Sequence, residues 1–225
     1  MNPLLIIDFD STFIRDETLD EIAKITSSSN KKNPNIHQKI KEITTQAMEG
    51  KIDFKDALKE RLNMLKVHKN ELDNIVSTLK ERVSLSFIKN KKYIQSISSR
   101  IYIVSGGFKE IISPIVKDYG ISLNHIFANE FQYNTKGYID GINENNLLSY
   151  SDGKIKILHT LNLRNGAYVI GDGNTDLEMK NVKGVKAFIC FTENIDRPSV
   201  STKADYIAPS LDDAFKFINK KECDG

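Results

Sequence analysis

Cysteine is scarce in this chain, with two in 225 residues, and their spacing suits no metal site. Cys190 lies in the apolar run Ala187-Phe188-Ile189-Cys190-Phe191, where a reduced core thiol is expected. Charge of one sign is also lacking. The 32 basic and 30 acidic side chains leave a formal +2, so no long-range field singles out nucleic acid. The short basic run Lys89-Asn90-Lys91-Lys92 reads as a solvated face. No apolar run approaches the ~18 residues that a membrane helix needs. Met1-Asn2-Pro3 leads straight into a strand, so no signal peptide is expected and a cytoplasmic location fits. Histidine is sparse too: His37, His68, His125 and His159 are scattered rather than clustered. No internal repeat or low-complexity tract is evident.

What is present is enough apolar residue for a real core, 40% of the chain. Its arrangement points to a layered α/β domain carrying an insertion. Leu4-Leu5-Ile6-Ile7 and Ala167-Tyr168-Val169-Ile170 are continuous apolar runs, as expected of strands buried on both faces. Arg100-Ile101-Tyr102-Ile103-Val104 is a third. Residues 17–82 carry helical periodicity only. Ile36, Ile40, Ile43 and Ala47 make one stripe; Phe54, Ala57, Leu58, Leu62 and Leu65 a second; Leu72, Ile75, Val76 and Leu79 a third. The expected organisation is a doubly wound, mostly parallel sheet formed by residues 1–16 and 83–225, with a helical cap at 17–82. The polar stretch Ser27–Asn35 reads as a mobile loop in the cap, and residues 130–142 as a hairpin.

Chemistry gathers where strands end. Asp8 and Asp10 follow the first run, and Gly171-Asp172-Gly173-Asn174-Thr175-Asp176 follows the run at 167–170. Ligands of open α/β sheets bind beyond the carboxyl ends of the strands. Carboxylates crowded there repel one another unless a cation sits among them, and an all-oxygen set suits Mg²⁺ shared with a phosphate. Ser105-Gly106-Gly107 after the third run reads as a turn opening a helix at Phe108, whose hydroxyl and free N–H groups would hold an anion. Pro114 is an awkward guest in that helix. Lys154, at the start of another helical stretch, would bring a point charge to the same anion.

In this order the four motifs resemble the haloacid dehalogenase superfamily of phosphotransferases, and within it the phosphoserine phosphatases, over nearly the whole chain. The resemblance implies Asp8 as nucleophile and Asp10 as general acid and base. It implies Mg²⁺ held by Asp8, the Asp10 carbonyl and Asp172, and phosphate held by Ser105, Gly106, Lys154 and Thr175. Asp176 then stands behind Lys154 and the metal waters. Thr175 occupies a place where many members have Asn.

One residue breaks the cap's pattern. Arg61 falls on the apolar face of its helix, seven residues after Phe54 and three after Leu58. A structural arginine can snorkel outward or pair with an internal acid; a functional one can face the cleft and clamp a carboxylate. The resemblance adds that Glu17, Met48-Glu49-Gly50, Phe54 and Arg61 match the substrate-binding residues of phosphoserine phosphatases. There the Glu holds the ammonium, the Arg the carboxylate, and the Phe packs over the site. The implied activity is hydrolysis of O-phospho-L-serine to L-serine through an aspartyl phosphate, a step of serine biosynthesis, with a small phosphomonoester as partner. Another phosphomonoester, or transfer to another alcohol, would use the same motifs. Non-catalytic binding modules on such a fold tend to lose the nucleophile, whereas Asp8 and Asp10 are both present, and a purely structural protein has no reason to keep all four motifs.

Overall fold

In the computed structural model the apolar runs form the middle of one parallel sheet. The structure describes residues 2–29, 36–48 and 51–224. Strands β1 (Leu4–Ile7), β2 (Ile101–Phe108), β3 (Ile126–Asn129), β6 (Ala167–Gly171), β7 (Val185–Phe191) and β8 (Tyr206–Ala208) lie in the order β3-β2-β1-β6-β7-β8. All neighbours are parallel. The chain therefore winds outward twice from β1, once through β2 and β3 and once through β6 to β8. Alternate side chains on a strand face opposite layers. Leu5, Ile7, Ile103, Ile170 and Ile189 join one apolar cluster, and Ile6, Val104, Val169, Phe188 and Cys190 the other. Both faces are thus covered, which is why these strands are apolar throughout. Cys190 is buried and unpaired, and Cys223 is exposed and unpaired.

Helices α1 (Thr18–Ser29), α2 (Ile36–Met48), α3 (Phe54–Met64) and α4 (Leu72–Lys80) are inserted between β1 and β2. Two short helices, α5 (Leu85–Lys89) and α6 (Lys91–Ile97), lead on to β2. Asp53 caps α3, accepting from the Lys55 and Asp56 amides at 2.8 and 3.3 Å. Ile22, Ile40, Leu58, Leu62, Ile75 and Leu79 are buried and continuous with the core cluster on one face of the sheet. The two chain segments at the root of the insertion are paired. Ile14 bridges Val83, the Arg15 amide donates to the Arg82 carbonyl at 2.8 Å, and the Ser84 amide donates to the Phe13 carbonyl at 3.0 Å. Most of the polar stretch at 27–35 lies outside the described residues.

The strand β2 departs from expectation. It runs on through Ser105, Gly106 and Gly107 to Phe108, and helix α7 (Lys109–Val116) starts only there. The Ser-Gly-Gly segment is therefore extended chain rather than a helix-opening turn. Its pairing with β3 shifts register between Val104 and Phe108, and that irregularity frees the segment from the ladder. Pro114 sits within α7 without ending it. The hairpin at 130–142 is formed by β4 (Phe131–Tyr133) and β5 (Ile139–Ile142), antiparallel and separate from the main sheet. Beyond it lie α8 (Gly153–Thr160), α9 (Asn174–Glu178), α10 (Pro198–Ser201) and α11 (Leu211–Cys223). Among the described residues, no helix is long and apolar enough to cross a membrane.

Candidate active site

Strand β1 has β2 on one side and β6 on the other, so the winding direction reverses between β1 and β6. That is where such sheets open a crevice beyond their carboxyl ends. Asp8 follows β1, anchored by its amide to the Ile170 carbonyl at 3.0 Å, and Asp172 follows β6. Asp176 lies in the first turn of α9 and folds back, accepting from the Gly173 amide at 3.1 Å. Gly171 makes this possible, because a Cβ there would lie 2.4 Å from the Asp176 carboxyl carbon. Asp8, Asp172 and Asp176 each place a carboxylate oxygen within 4.8 Å of the others, and all three are buried.

Two cations partly balance these acids. Lys154, at the start of α8, lies 2.8 Å from Asp8 Oδ1 and 2.7 Å from Asp176 Oδ1. Arg197 Nε lies 2.9 Å from Asp172 Oδ2, and the Thr12 hydroxyl donates to Asp172 Oδ1 at 3.1 Å. Burial alone would lower the Lys154 ammonium, but Asp176 and Asp8 hold it well above its ordinary value. Burial pushes the Asp176 carboxyl up to about 7, with the Asp8 charge adding to it. Burial, then Asp8, raises Asp172 as well. A cluster of hard oxygen donors that resists ionising together fits a divalent cation.

Asp10 stands apart from the cluster. Its Oδ1 accepts from the Thr18 amide at 2.9 Å and from the Thr18 hydroxyl, at the start of α1. Burial pushes this carboxyl up to about 7, against the pull of the Thr18 hydroxyl. Gly107 lets β2 pass close to it, since a Cβ on Gly107 would lie 3.1 Å from Asp10 Oδ2. On the same strand the Gly107 amide donates to Ser105 Oγ at 3.0 Å. Asn129 Nδ2 holds the segment from behind, donating to the Gly106 and Leu148 carbonyls at 2.9 and 3.0 Å. Ser105, Gly106, Lys154 and Thr175 line one cleft with Asp8 and Asp10.

The insertion supplies the opposite wall, with Glu17, Leu58 and Arg61. Ser11 adopts a left-handed backbone (φ 54°) and donates its hydroxyl to Glu17 Oε1 at 2.9 Å. Arg197 Nη2 reaches the same oxygen at 3.5 Å. Burial, and the charges of Asp10 and Asp172, push the Glu17 carboxyl up to about 8. Arg61 is 5% exposed. Its Nε donates to the Ala57 carbonyl at 3.3 Å and its Nη1 to the Thr44 hydroxyl at 3.2 Å. The side chains of Met48 and Phe54 lie outside the described residues. Arg197 and Asn194 escaped the sequence reading. Both belong to the segment after β7, and the strand-end rule that located Asp8 and Asp172 points to that segment too. Asn194 Nδ2 donates to the Ser11 carbonyl at 3.0 Å and to Ser84 Oγ at 2.7 Å, tying the Asp8 loop to the root of the insertion.

The raised carboxyls have a consequence for stability. An acid whose folded pKa exceeds its unfolded value of about 4 favours the folded state only while protonated. Asp10, Asp176 and Glu17, at about 7, 7 and 8, should make the metal-free protein less stable as pH climbs from about 5 to 8. Scanning calorimetry in EDTA should show a Tm several degrees lower at the upper end. A Tm that is flat or rising over that interval would contradict the electrostatics described.

A carboxylate cluster balanced by a buried lysine, at the switch point of a doubly wound sheet, is the equipment of a phosphoryl-transfer enzyme. Comparison with known proteins agrees. The family model for haloacid dehalogenase-like hydrolases matches residues 5–180, and the chain belongs to that family. It is 30% identical over 212 residues to phosphoserine phosphatase of Methanocaldococcus jannaschii, covering 90% of each chain. It is 30% identical over 203 residues to the chloroplastic phosphoserine phosphatase of Arabidopsis thaliana, spanning 89% of this chain and 66% of that protein. Among solved structures, a phosphoserine phosphohydrolase-like protein from Francisella tularensis superposes with a TM-score of 0.82 at 26% identity, covering 97% of this chain and all of the other. A phospho-aspartyl intermediate analogue of phosphoserine phosphatase superposes at 0.74 with 25% identity, covering 96% and 98%.

Proposed function

We propose that this chain is a Mg²⁺-dependent phosphatase that hydrolyses O-phospho-L-serine to L-serine and inorganic phosphate. Asp8 attacks phosphorus, and the serine oxygen leaves with a proton from Asp10. Water then attacks the aspartyl phosphate, giving its proton to Asp10 and restoring the Asp8 carboxylate. A carboxyl held near neutrality suits both halves of that exchange. Lys154, the Ser105 hydroxyl and the Gly106 amide counter the charge on the transferring group. Asp8, Asp172 and the Asp10 carbonyl, with Asp176 behind, would hold Mg²⁺, which would supply further charge neutralisation.

The observation that carries the substrate assignment is that Glu17 and Arg61 line the same cleft as Asp8 and Asp10. A buried acid that an incoming ammonium would ionise, and a cation, match the ammonium and carboxylate of an amino acid. The relatives named as phosphoserine phosphatases support the same reading. Phosphate release should be measured with O-phospho-L-serine, p-nitrophenyl phosphate and a sugar phosphate. A kcat/KM at least about tenfold higher for phosphoserine is expected. Parity among the three would leave a general phosphomonoesterase instead.

Metal removal gives a second check. EDTA should abolish turnover and Mg²⁺ restore it. Ca²⁺ should not, because its longer bonds and looser shell spoil the in-line arrangement that octahedral Mg²⁺ favours. Full turnover in EDTA-treated protein would be incompatible with the carboxylate cluster as a cation site.

A further inference from the structure

We propose that Thr44 and Asp20 are positioning residues that aim Arg61 into the cleft and so set the preference for substrates bearing a carboxylate; this rests on the phosphoserine reading above. The three side chains come from three successive helices. Arg61 Nη1 donates to Thr44 Oγ at 3.2 Å, and the Thr44 hydroxyl lies 2.9 Å from Asp20 Oδ1. All three are buried, at 5%, 5% and 9% exposure for Arg61, Thr44 and Asp20.

The direction of the bonds carries the argument. Because Arg61 donates to Thr44 Oγ, the single hydroxyl proton is free to point elsewhere. The Ile40 carbonyl at 3.0 Å and the Asp20 carboxylate compete for it, and an ionised oxygen is the stronger acceptor. The result is a chain from carboxylate through hydroxyl to guanidinium. An arginine on four rotatable bonds does not hold one pose by packing alone. Here Ala57 and Thr44 fix Nε and Nη1 from behind, and among the described residues Nη2 carries no hydrogen bond.

The interposed hydroxyl has a chemical purpose. Burial pulls the Arg61 guanidinium below its ordinary value, and the Glu17, Asp20 and Asp10 charges pull it back up. An acid bonded directly to Arg61 would occupy the fork that a substrate carboxylate needs. Among the described residues no carboxylate does so. Asp20 instead lends its charge at one remove and leaves the fork facing the cleft.

The test uses two substrates, O-phospho-L-serine and O-phosphoethanolamine, which keeps the phosphate and ammonium but lacks the carboxylate. The readout is the ratio of their kcat/KM values with Mg²⁺ present. Thr44→Val, nearly the same shape without the hydroxyl, should lower that ratio by about tenfold, the scale of one lost hydrogen bond to a charged group. Thr44→Ser, which keeps the hydroxyl, should retain most of the preference. Asp20→Asn should lower the ratio by about threefold, because an amide oxygen still accepts but carries no charge. If Thr44→Val does not fold, Asp20→Asn and Thr44→Ser decide. An unchanged ratio in Asp20→Asn then overturns the proposal. Equal losses on both substrates in Thr44→Val would make Thr44 a purely structural residue, and the proposal would fall. Arg61→Ala separates the two readings. If it collapses the ratio while Thr44→Val leaves it intact, the relay is wrong and the substrate assignment stands. If Arg61→Ala also leaves the ratio intact, the assignment itself fails.

Discussion

Replacing Asp8 with Asn should reduce phosphate release by roughly 10⁴-fold or more, the scale on which loss of a covalent nucleophile is felt. An amide offers no anionic oxygen to attack phosphorus and cannot form an acyl phosphate. The substitution has a second effect in this site. Lys154 is buried and shared between Asp8 and Asp176, so Asn at position 8 removes one of its two counter-charges. Mg²⁺ affinity should fall as well, because one of three clustered carboxylates is gone. Saturating Mg²⁺ should therefore recover metal binding without recovering turnover. Asp10→Asn should behave differently. Its carboxylate is held by Thr18, away from the cluster, so catalysis should be crippled while metal binding is largely kept. Beryllium fluoride with Mg²⁺ should form an adduct on Asp8 in the unaltered protein, read as bound ¹⁹F resonances, and none in Asp8→Asn. An adduct on another residue, or normal turnover by Asp8→Asn, would overturn the two-step mechanism.

Much of the sheet and half of the cleft were legible from residue order. Strands β1, β2 and β6 are buried on both faces, and such strands must be apolar without interruption, so their runs stand out. Acids directly after β1 and β6 then mark the crevice without any knowledge of strand order. The Ser105 segment lines the cleft, but as extended chain rather than the turn its sequence predicts. A glycine pair reads as a turn, whereas here the glycines serve a register shift and close approach to Asp10. β8 is only three residues long, Tyr206–Ala208, too short for its pattern to stand out. The wall formed by the insertion was harder to read. Arg61 was visible only as a charge on an apolar stripe, with two explanations open. Thr44 and Asp20, which stand behind Arg61, look like ordinary helix residues until α1, α2 and α3 are brought together. Arg197 and Asn194 depend on the placement of the chain after β7. Contacts made across more than a hundred residues leave no local periodicity to detect.

Arg61→Ala should separate substrates by their carboxylate. Arg61 lines the same cleft as Asp8 and, among the described residues, makes no hydrogen bond to a residue assigned to phosphoryl transfer. Removing one partner of a buried charge pair costs about 2–5 kcal/mol, much of it from the partner left unpaired. At about 1.4 kcal/mol per decade, even the lower figure corresponds to a fall of about 30-fold in kcat/KM for O-phospho-L-serine. The loss should appear mainly in KM if the carboxylate is bound equally in the ground and transition states, and in kcat if it orients the phosphate for attack. p-Nitrophenyl phosphate offers no carboxylate, so its hydrolysis should fall far less. Arg61→Lys should recover only part of the loss, since an ammonium carries the charge but not the two-pronged geometry. Glu17 and Asp20 also lose a nearby cation in Arg61→Ala, so Tm should be measured alongside to separate folding from recognition. Equal loss on both substrates, in a protein that remains folded, would make Arg61 a structural arginine and remove the main physical support for phosphoserine as the substrate.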